Sequence, residues 1–421
     1  MVKLHLNFDS SIVKVFLGGF VAAGFGFLAS LIMARTLSIE EFGRISLVIN
    51  LSIISFTILE FGLGNALVVF VNRGEELGRR LGIFKLVIFK YLTVFLILSL
   101  LLSGLFGLIF ELNILELSVI FVSSICFFIH KLFLSVNQAV GNWDKFNILQ
   151  AGNTFTKLLC LALAFLIVFV FEGLSWLYES YLIALLIYGI AILIVGVIIT
   201  ETKVYKAIKL TEGTFQELKE IVVPIGLANC FIIIALRFDL LLVAYFLDEK
   251  SVGLYHAANT LAMIFPLVTK ALMSVALRES AMNEKSKLLS SIKKQNKLIL
   301  WLFLAVGIVF GSSDFLISFV YGEVYSESAT LFVLLTIGYI GGIYFIPLES
   351  YFYSHNRRNL LVSKILVAVI MLVLGGVLVF QYQGLGVALS VVVSKAAGWC
   401  VIGYFIFREV KLGRFNDKQL G

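Results

Sequence analysis

Charge is scarce in this sequence. Only 14% of its 421 residues are Asp, Glu, Lys or Arg, whereas 60% are hydrophobic, and the mean hydropathy is +1.04. No soluble globular domain keeps such a composition in solution, so the chain reads as an integral membrane protein with very little left over for a soluble domain. Cysteine is scarce as well. Cys126, Cys160, Cys230 and Cys400 lie far apart, each inside an apolar run and without CxxC spacing, which makes them packing residues rather than disulfide or metal ligands. No HExxH, GxxxxGK[ST] or DxD-like cluster occurs. Neither ATP-driven work by this chain nor catalysis has a motif to rest on, and the chain reads as not an enzyme.

What is abundant is long apolar runs. Each greatly exceeds the roughly 9–11 residues of a barrel strand and none alternates, so they read as helices. About twelve runs reach the roughly 20 residues that cross a bilayer, near 11–35, 42–71, 84–110, 112–136, 146–171, 177–199, 221–247, 252–277, 298–321, 329–353, 360–380 and 385–407. The first is too long, and too poorly followed by a small-residue cleavage site, to be a removed signal peptide. The fold class expected is an all-α integral membrane protein.

The few charges are sorted by side. Arg73, Arg79, Arg80, Lys85 and Lys90 fall in one connection, Lys203, Lys206, Lys209 and Lys219 in another, six bases between 278 and 297, and others at Arg357, Arg358 and from 408 to 418. The intervening connections carry Glu111, Glu116, Glu172, Glu179, Asp248, Glu249, Glu323 and Glu327, with Lys250 almost alone among bases. By the positive-inside rule the basic side is cytoplasmic and both termini lie inside. The net charge of +7 is thereby a topology signal, with no nucleic acid as partner. The outer connections are short enough to be bare turns.

Ala34, Leu37, Ser38 and Gly43 are echoed half the chain length later by Ala244, Leu247, Asp248 and Gly253. Six spans per half leave the halves in the same orientation, as parallel repeats with a substrate path between them. The expected division is an N-terminal six-helix lobe at 1–200, a cytoplasmic linker at 201–220, a C-terminal six-helix lobe at 221–407 and a cytoplasmic tail at 408–421, with a central polar cavity.

Polar residues inside spans are costly and usually face a bundle interior or water. Gln150, Asn153, Thr154 and Lys157 share one face of the fifth span, and His256, Asn259, Thr260, Met263, Lys270 and Ser274 lie near one stripe of the eighth. The second span holds Asn50, Thr57 and Glu60, the fourth His130 and Lys131, the seventh Asn229, Arg237 and Asp239, and the tenth Glu349 and Tyr353. Spans one, two, four, five, seven, eight and ten are expected to line the cavity and the others to face lipid. Arg35 and Arg44 stand near outer helix ends, where they reach either the cavity or the headgroups. Glu60 and Lys270 are also half a chain length apart, and are expected to pair across the pseudo-two-fold axis, neutralising a buried carboxylate. Arg237 and Asp239, two residues apart on a helix, share a face only if the helix breaks locally.

ARTLSIEEFGRISLV followed by EFGLGNALV resembles the first-lobe signature of Wzx-type bacterial polysaccharide flippases. These belong to the multidrug, oligosaccharidyl-lipid and polysaccharide exporter superfamily. LRFDLLLVAYFLDEKSVGLYHAANTLAMIF, 236–265, is similar to the second-lobe signature, with Asp239 followed by Gly253, Tyr255 and Ala258. The resemblance implies transport of an undecaprenyl-diphosphate-linked glycan (an O-antigen, capsule or exopolysaccharide unit) to the outer leaflet of a bacterial inner membrane by alternating access. It implies no cofactor beyond H⁺ or Na⁺ coupling, and the lipid bilayer, a polysaccharide polymerase and chain-length proteins as partners. Arg35, Arg237 and Lys270 are candidate contacts to diphosphate or acidic sugar, and Asn50, Asn153, Asn259 and Tyr353 to sugar hydroxyls. Glu60, Lys131, Lys157, Asp239 and Glu349 complete the candidate site. The related lipid II flippases have fourteen spans, which counts against a peptidoglycan precursor. The rival within the superfamily is a cation-coupled drug exporter using Glu60, Asp239 and Glu349. The rival of another class is a membrane enzyme of polysaccharide assembly.

Overall fold

The computed structural model describes residues 10–72, 77–171, 176–200, 212–266, 269, 286–355 and 357–411. The chain divides into two compact units, Met1–Ile233 and Ile234–Gly421. The first holds α1 (Ser10–Thr36), α2 (Ile39–Glu60), α3 (Leu63–Asn72), α4 (Leu77–Phe110), α5 (Ile114–Val140), α6 (Trp143–Phe171), α7 (Leu177–Ile199) and the larger part of α8 (Glu212–Phe246). The second holds the end of α8, then α9 (Glu249–Ala262), α10 (Ser286–Tyr321), a 3₁₀ turn at Glu323–Tyr325, α11 (Ser328–His355) and α12 (Arg357–Lys411). Among the described residues no strand occurs.

Nine helices among the described residues are long and apolar enough to cross a membrane, or ten with the bent pair Leu218–Ile234 and Leu236–Phe246. One of the nine, Arg358–Arg408, spans 51 residues, which as one straight helix would reach about 77 Å, over twice the hydrocarbon thickness. It is instead an antiparallel hairpin that turns at Gln383 (φ 49, ψ −134). Ser363 donates to the Gly398 carbonyl at 3.0 Å, Gly375 faces Ser390, and a Cβ at Gly386 would lie 2.2 Å from the Leu378 carbonyl oxygen. Only glycine lets the backbones approach so closely. The expected eleventh and twelfth spans are the two arms. The expected eighth span is described only as far as residue 266 and at 269.

The second expected span, 42–71, is not one helix. α2 ends at Phe61 (φ 38) and Gly62 (φ 74), both left-handed, and α3 starts two residues on. A Cβ on Gly62 would come 2.7 Å from the Ile225 side chain and 2.8 Å from the Gly226 nitrogen, so α8 presses on the break. α3 continues into a core of Leu67, Phe70, Phe128, Leu132, Leu218 and Ile221, joining α3, α5 and α8.

Helix starts are written locally. Ser38 and Glu41 form a capping box at α2, with Ser38 Oγ accepting from the Glu41 N–H at 3.2 Å and Glu41 accepting from the Ser38 N–H at 3.0 Å. Asp248, the residue matched to Ser38 half a chain later, caps α9 and accepts from the Ser251 N–H at 2.8 Å. The two halves therefore start their second helix with the same device.

Packing between helices uses small residues, since lipid gives apolar side chains no reason to prefer a neighbouring helix. α5 and α7 run parallel in constant register: Cys126 faces Gly189 and Phe133 packs on Gly196, and Asn137 donates to Thr200 at 3.1 Å, 63 residues away. α1 and α6 are likewise parallel, with Gly18 against Asn147, Gly19 against Gln150 and Gly26 against Thr154. At one end of this unit Arg44 donates to both Glu116 oxygens, at 2.7 and 3.1 Å, and to the Glu111 carbonyl at 2.7 Å. Tyr178 also donates to Glu116. Arg44 thus staples α2 to the α4–α5 connection and, through Glu116, to α7. In the second unit Leu348, Phe352, Leu360, Ile402 and Ile406 join α11 to the hairpin. The third and ninth expected spans, in α4 and α10, carry large exposed apolar side chains such as Leu101, Leu108, Phe303 and Phe310, the faces that lipid covers.

Candidate functional site

In the first unit α1, α2, α5, α6 and α7 enclose a cavity of about 350 Å³. Lys131 and His130 reach it from α5, Asn153, Thr154 and Lys157 from α6, Ser52 and Phe56 from α2, and Tyr188 from α7. Among the described residues no carboxylate lines it. The i, i+1, i+4 spacing of Asn153, Thr154 and Lys157 puts them on one face of α6. Tyr188 donates to Asn153 Oδ1, which fixes the amide with its nitrogen as the remaining donor end. His130 is 3% exposed, and neither ring nitrogen has a hydrogen-bond partner among the described residues.

Three sequence candidates, Lys131, Asn153 and Lys157, thus come together. The sixth span, expected to face lipid, contributes Leu185 and Tyr188 to the wall. Its scarcity of charge concealed this, because a tyrosine is not counted as an intramembrane charge. Glu60 does not line the cavity. It is buried at the α2–α3 break, where its two oxygens accept from the Gly62 N–H at 2.8 Å and the Gly64 N–H at 2.7 Å. Asn229 of α8 donates to it at 3.5 Å. A Cβ on Gly64 would lie 2.9 Å from the Glu60 carboxylate and 3.1 Å from Lys131 Cε, so Lys131 passes beside the same point. Glu60 therefore acquires its backbone partners locally, by capping α3, with Asn229 reaching it from α8. Lys270, expected to pair with it, lies outside the described residues. Asn50 is buried in α2 away from the cavity lining, and Arg35 is exposed at the end of α1.

The second unit holds a separate polar cluster. Asp239, 2% exposed, accepts from its neighbour Leu240 N–H at 2.8 Å and from the Tyr255 hydroxyl at 3.0 Å. Tyr339 donates to Asn259 Oδ1 at 2.9 Å, and the Lys395 ammonium stands 4.8 Å over the Tyr339 ring. Lys364 pairs with Glu349 at 3.0 Å. Arg237 and Lys395 lie within electrostatic reach of Asp239, and Lys364 and Glu349 within reach of Lys395. Arg237, Asp239, Asn259 and Glu349 are thus gathered here. Sequence reasoning assigned the last two spans to lipid and missed Lys364 and Lys395, although two cations inside apolar runs were the signal to follow. Tyr353 lies on α11, its side chain outside the described ones. Among the described residues no group of His, Cys, Asp and Glu could hold a metal ion.

Two helical units, one with a basic cavity and one with a buried mixed-charge cluster, make up a multi-pass membrane protein whose fold is shared with known membrane transporters. The fold matches lipid II flippase MurJ in an inward closed conformation, with TM-score 0.69 and 16% identity over 94% of this chain and 87% of that one. It also matches an inward-facing multidrug resistance MATE family transporter, with TM-score 0.67 and 12% identity over 96% and 99%. The eukaryotic MATE transporter AtDTX14 gives 0.58 and 14% over 94% of each chain. A comparison with curated proteins gives no match. The family is narrower than the fold. Residues 10–277 match the polysaccharide biosynthesis protein model, and the chain belongs to that family.

Proposed function

We propose that this protein moves an undecaprenyl-diphosphate-linked oligosaccharide from the cytoplasmic to the outer leaflet of a bacterial inner membrane, by alternating access, for polysaccharide biosynthesis. The observation that supports this reading is the first-unit cavity, lined by Lys131 and Lys157 and, among the described residues, by no carboxylate. Ammonium groups in a low-dielectric site favour an anionic substrate and repel an organic cation. The family match to polysaccharide biosynthesis supports the same substrate class, and the fold shared with a lipid II flippase supports movement across a bilayer. Arg35, Arg237 and Lys270 are proposed contacts to diphosphate or acidic sugar, and Asn50, Asn153, Asn259 and Tyr353 to sugar hydroxyls. The prenyl chain stays in lipid. Coupling to H⁺ or Na⁺ is proposed to run through Asp239 and Glu349, which face Arg237, Lys364 and Lys395 in the second unit. A polysaccharide polymerase and chain-length proteins are the proposed partners.

The test is reconstitution of the purified protein in liposomes with labelled undecaprenyl-diphosphate oligosaccharide on one leaflet, read by a membrane-impermeant glycosidase with and without ion gradients. Protein-dependent exposure of the glycan is expected. Expulsion of a cationic dye without glycan exposure would instead establish the drug-exporter reading, which the MATE-like fold accommodates.

A further inference from the structure

We propose that Lys395 of the second unit carries the coupling proton, so that the transport step runs on H⁺ and not on Na⁺. This rests on the transport reading above and deepens it: Asp239 and Glu349 become the anions that hold the carrier. Four helices bring the groups together. α8 supplies Arg237 and Asp239, α9 Tyr255 and Asn259, α11 Tyr339 and Glu349, and the two arms of α12 Lys364 and Lys395.

The charged members differ in how firmly each is held. Asp239 has both oxygens engaged, one by the Leu240 N–H at 2.8 Å and the other by the Tyr255 hydroxyl at 3.0 Å. Glu349 accepts from Lys364 at 3.0 Å. Adding a proton to either carboxylate weakens one of these charge-assisted bonds. Arg237 is a guanidinium, which keeps its proton in a protein.

Lys395 is held otherwise. Its ammonium stands 4.8 Å over the Tyr339 ring, and among the described residues it donates no hydrogen bond. Asp239 and Glu349 attract it, and Lys364 repels it. It can therefore give up its proton without breaking a hydrogen bond among the described residues, losing the ring contact and two attractions and gaining relief from Lys364. A lysine, a compact charge on a flexible stem, suits that exchange.

The exchange also has a conformational side. The ammonium draws the second arm of α12 towards α11 through the Tyr339 ring and towards α8 through Asp239; the neutral amine does neither. The proton thus binds one arrangement of these helices better than another, which is the condition for shifting a two-state equilibrium. Na⁺ is disfavoured at the same place. Arg237, Lys364 and Lys395 already stand within reach of the two carboxylates, and a further cation there is repelled.

The experiment uses the purified full-length protein in liposomes, with labelled undecaprenyl-diphosphate oligosaccharide in both leaflets and the membrane potential clamped to zero. A gradient of about one pH unit is expected to shift the steady-state leaflet ratio of that lipid about tenfold, the exchange of one proton per cycle. No shift is expected in Lys395→Arg, whose charge is permanent. Lys395→Met, whose charge is permanently absent, should lose the response too, and it covers the case of an arginine variant that does not fold. An about tenfold Na⁺ gradient at equal pH should leave the parent ratio unchanged. A pH response that persists in a folded variant, or a Na⁺ response in the parent, overturns the proposal. A second measurement needs no glycan. Titrated in nanodiscs, the parent should exchange about one proton more than Lys395→Arg across the pH range in which both stay folded. Identical curves overturn the assignment whether or not the lipid crosses. If the extra proton is found and no lipid crosses under any gradient, Lys395 stands as a proton site and the flippase reading fails.

Discussion

At Glu60 the residue scale decides what a buried carboxylate is for. An acid in an apolar run costs several kcal/mol unless its oxygens are satisfied. Here two backbone N–H groups, those of Gly62 and Gly64, do so. Glu60→Ala is expected to leave both donors without that acceptor and to lower stability by about 2–6 kcal/mol, at roughly 1–3 kcal/mol per buried group. Glu60→Gln, which keeps one acceptor, should cost less. Thermal unfolding in detergent ranks the two; equal, negligible effects would show that the carboxylate is not a structural cap. The signal for this role stood in the sequence as the glycines flanking Leu63 in EFGLG. It was not recognised because the hydrophobic run continues through the break and hides it. A second residue-scale prediction concerns Arg44. Removing it leaves Glu116, whose side chain is 1% exposed, without its cation. Arg44→Met is expected to cost about 2–3 kcal/mol, below the roughly 3–5 of a fully buried pair because Arg44 is itself 20% exposed. Arg44→Met with Glu116→Leu should recover most of the loss, and a double-mutant cycle reads that recovery.

At the scale of elements, caps and turns are local and were legible. The S-x-x-E pattern at Ser38 announces the start of α2, and the matched Asp248 announces α9. Hydrogen bonds from the Ser251 side chain and backbone hold the Asp248 carboxyl below the ordinary carboxylate range. A depressed folded-state pKa gives stability that is whole above the unfolded value near 4 and is lost as pH falls through the folded value. Melting temperature should therefore drop more steeply between about pH 5 and about pH 3 in the parent protein than in Asp248→Asn. Identical pH slopes would remove the cap from the ledger of acid stability. The hairpin of α12 gives a sharper contrast. Gly386→Ala places a methyl 2.2 Å from the Leu378 carbonyl oxygen and should destabilise the protein by several kcal/mol, about what a helix-breaking clash costs. Gly376→Ala, which meets nothing within 4 Å, should be neutral or slightly stabilising. Parallel melts of the two variants check this; equal effects would overturn it.

At the scale of the whole molecule, the proposed transport cycle asks for communication between charge and conformation. Asp239→Asn preserves shape but removes the anion that faces Arg237, Lys395 and the Tyr255 hydroxyl. The flipping rate is expected to fall about tenfold or more, the loss of one strong charge-assisted contact, while size-exclusion behaviour stays monodisperse. An unchanged rate would remove Asp239 from the cycle. Hydropathy and charge alone determined that this chain crosses a membrane many times as helices, where nearly every crossing lies, and which helix starts are capped, because each depends on residues adjacent in the chain and on the bilayer as solvent. Only the tertiary structure decided that Tyr188 of a charge-poor helix completes the cavity and that Lys364 and Lys395 join Asp239 and Glu349. Those outcomes depend on the rotation of each helix about its axis, and that rotation is set by glycine contacts such as Phe133 on Gly196, made between residues far apart in sequence.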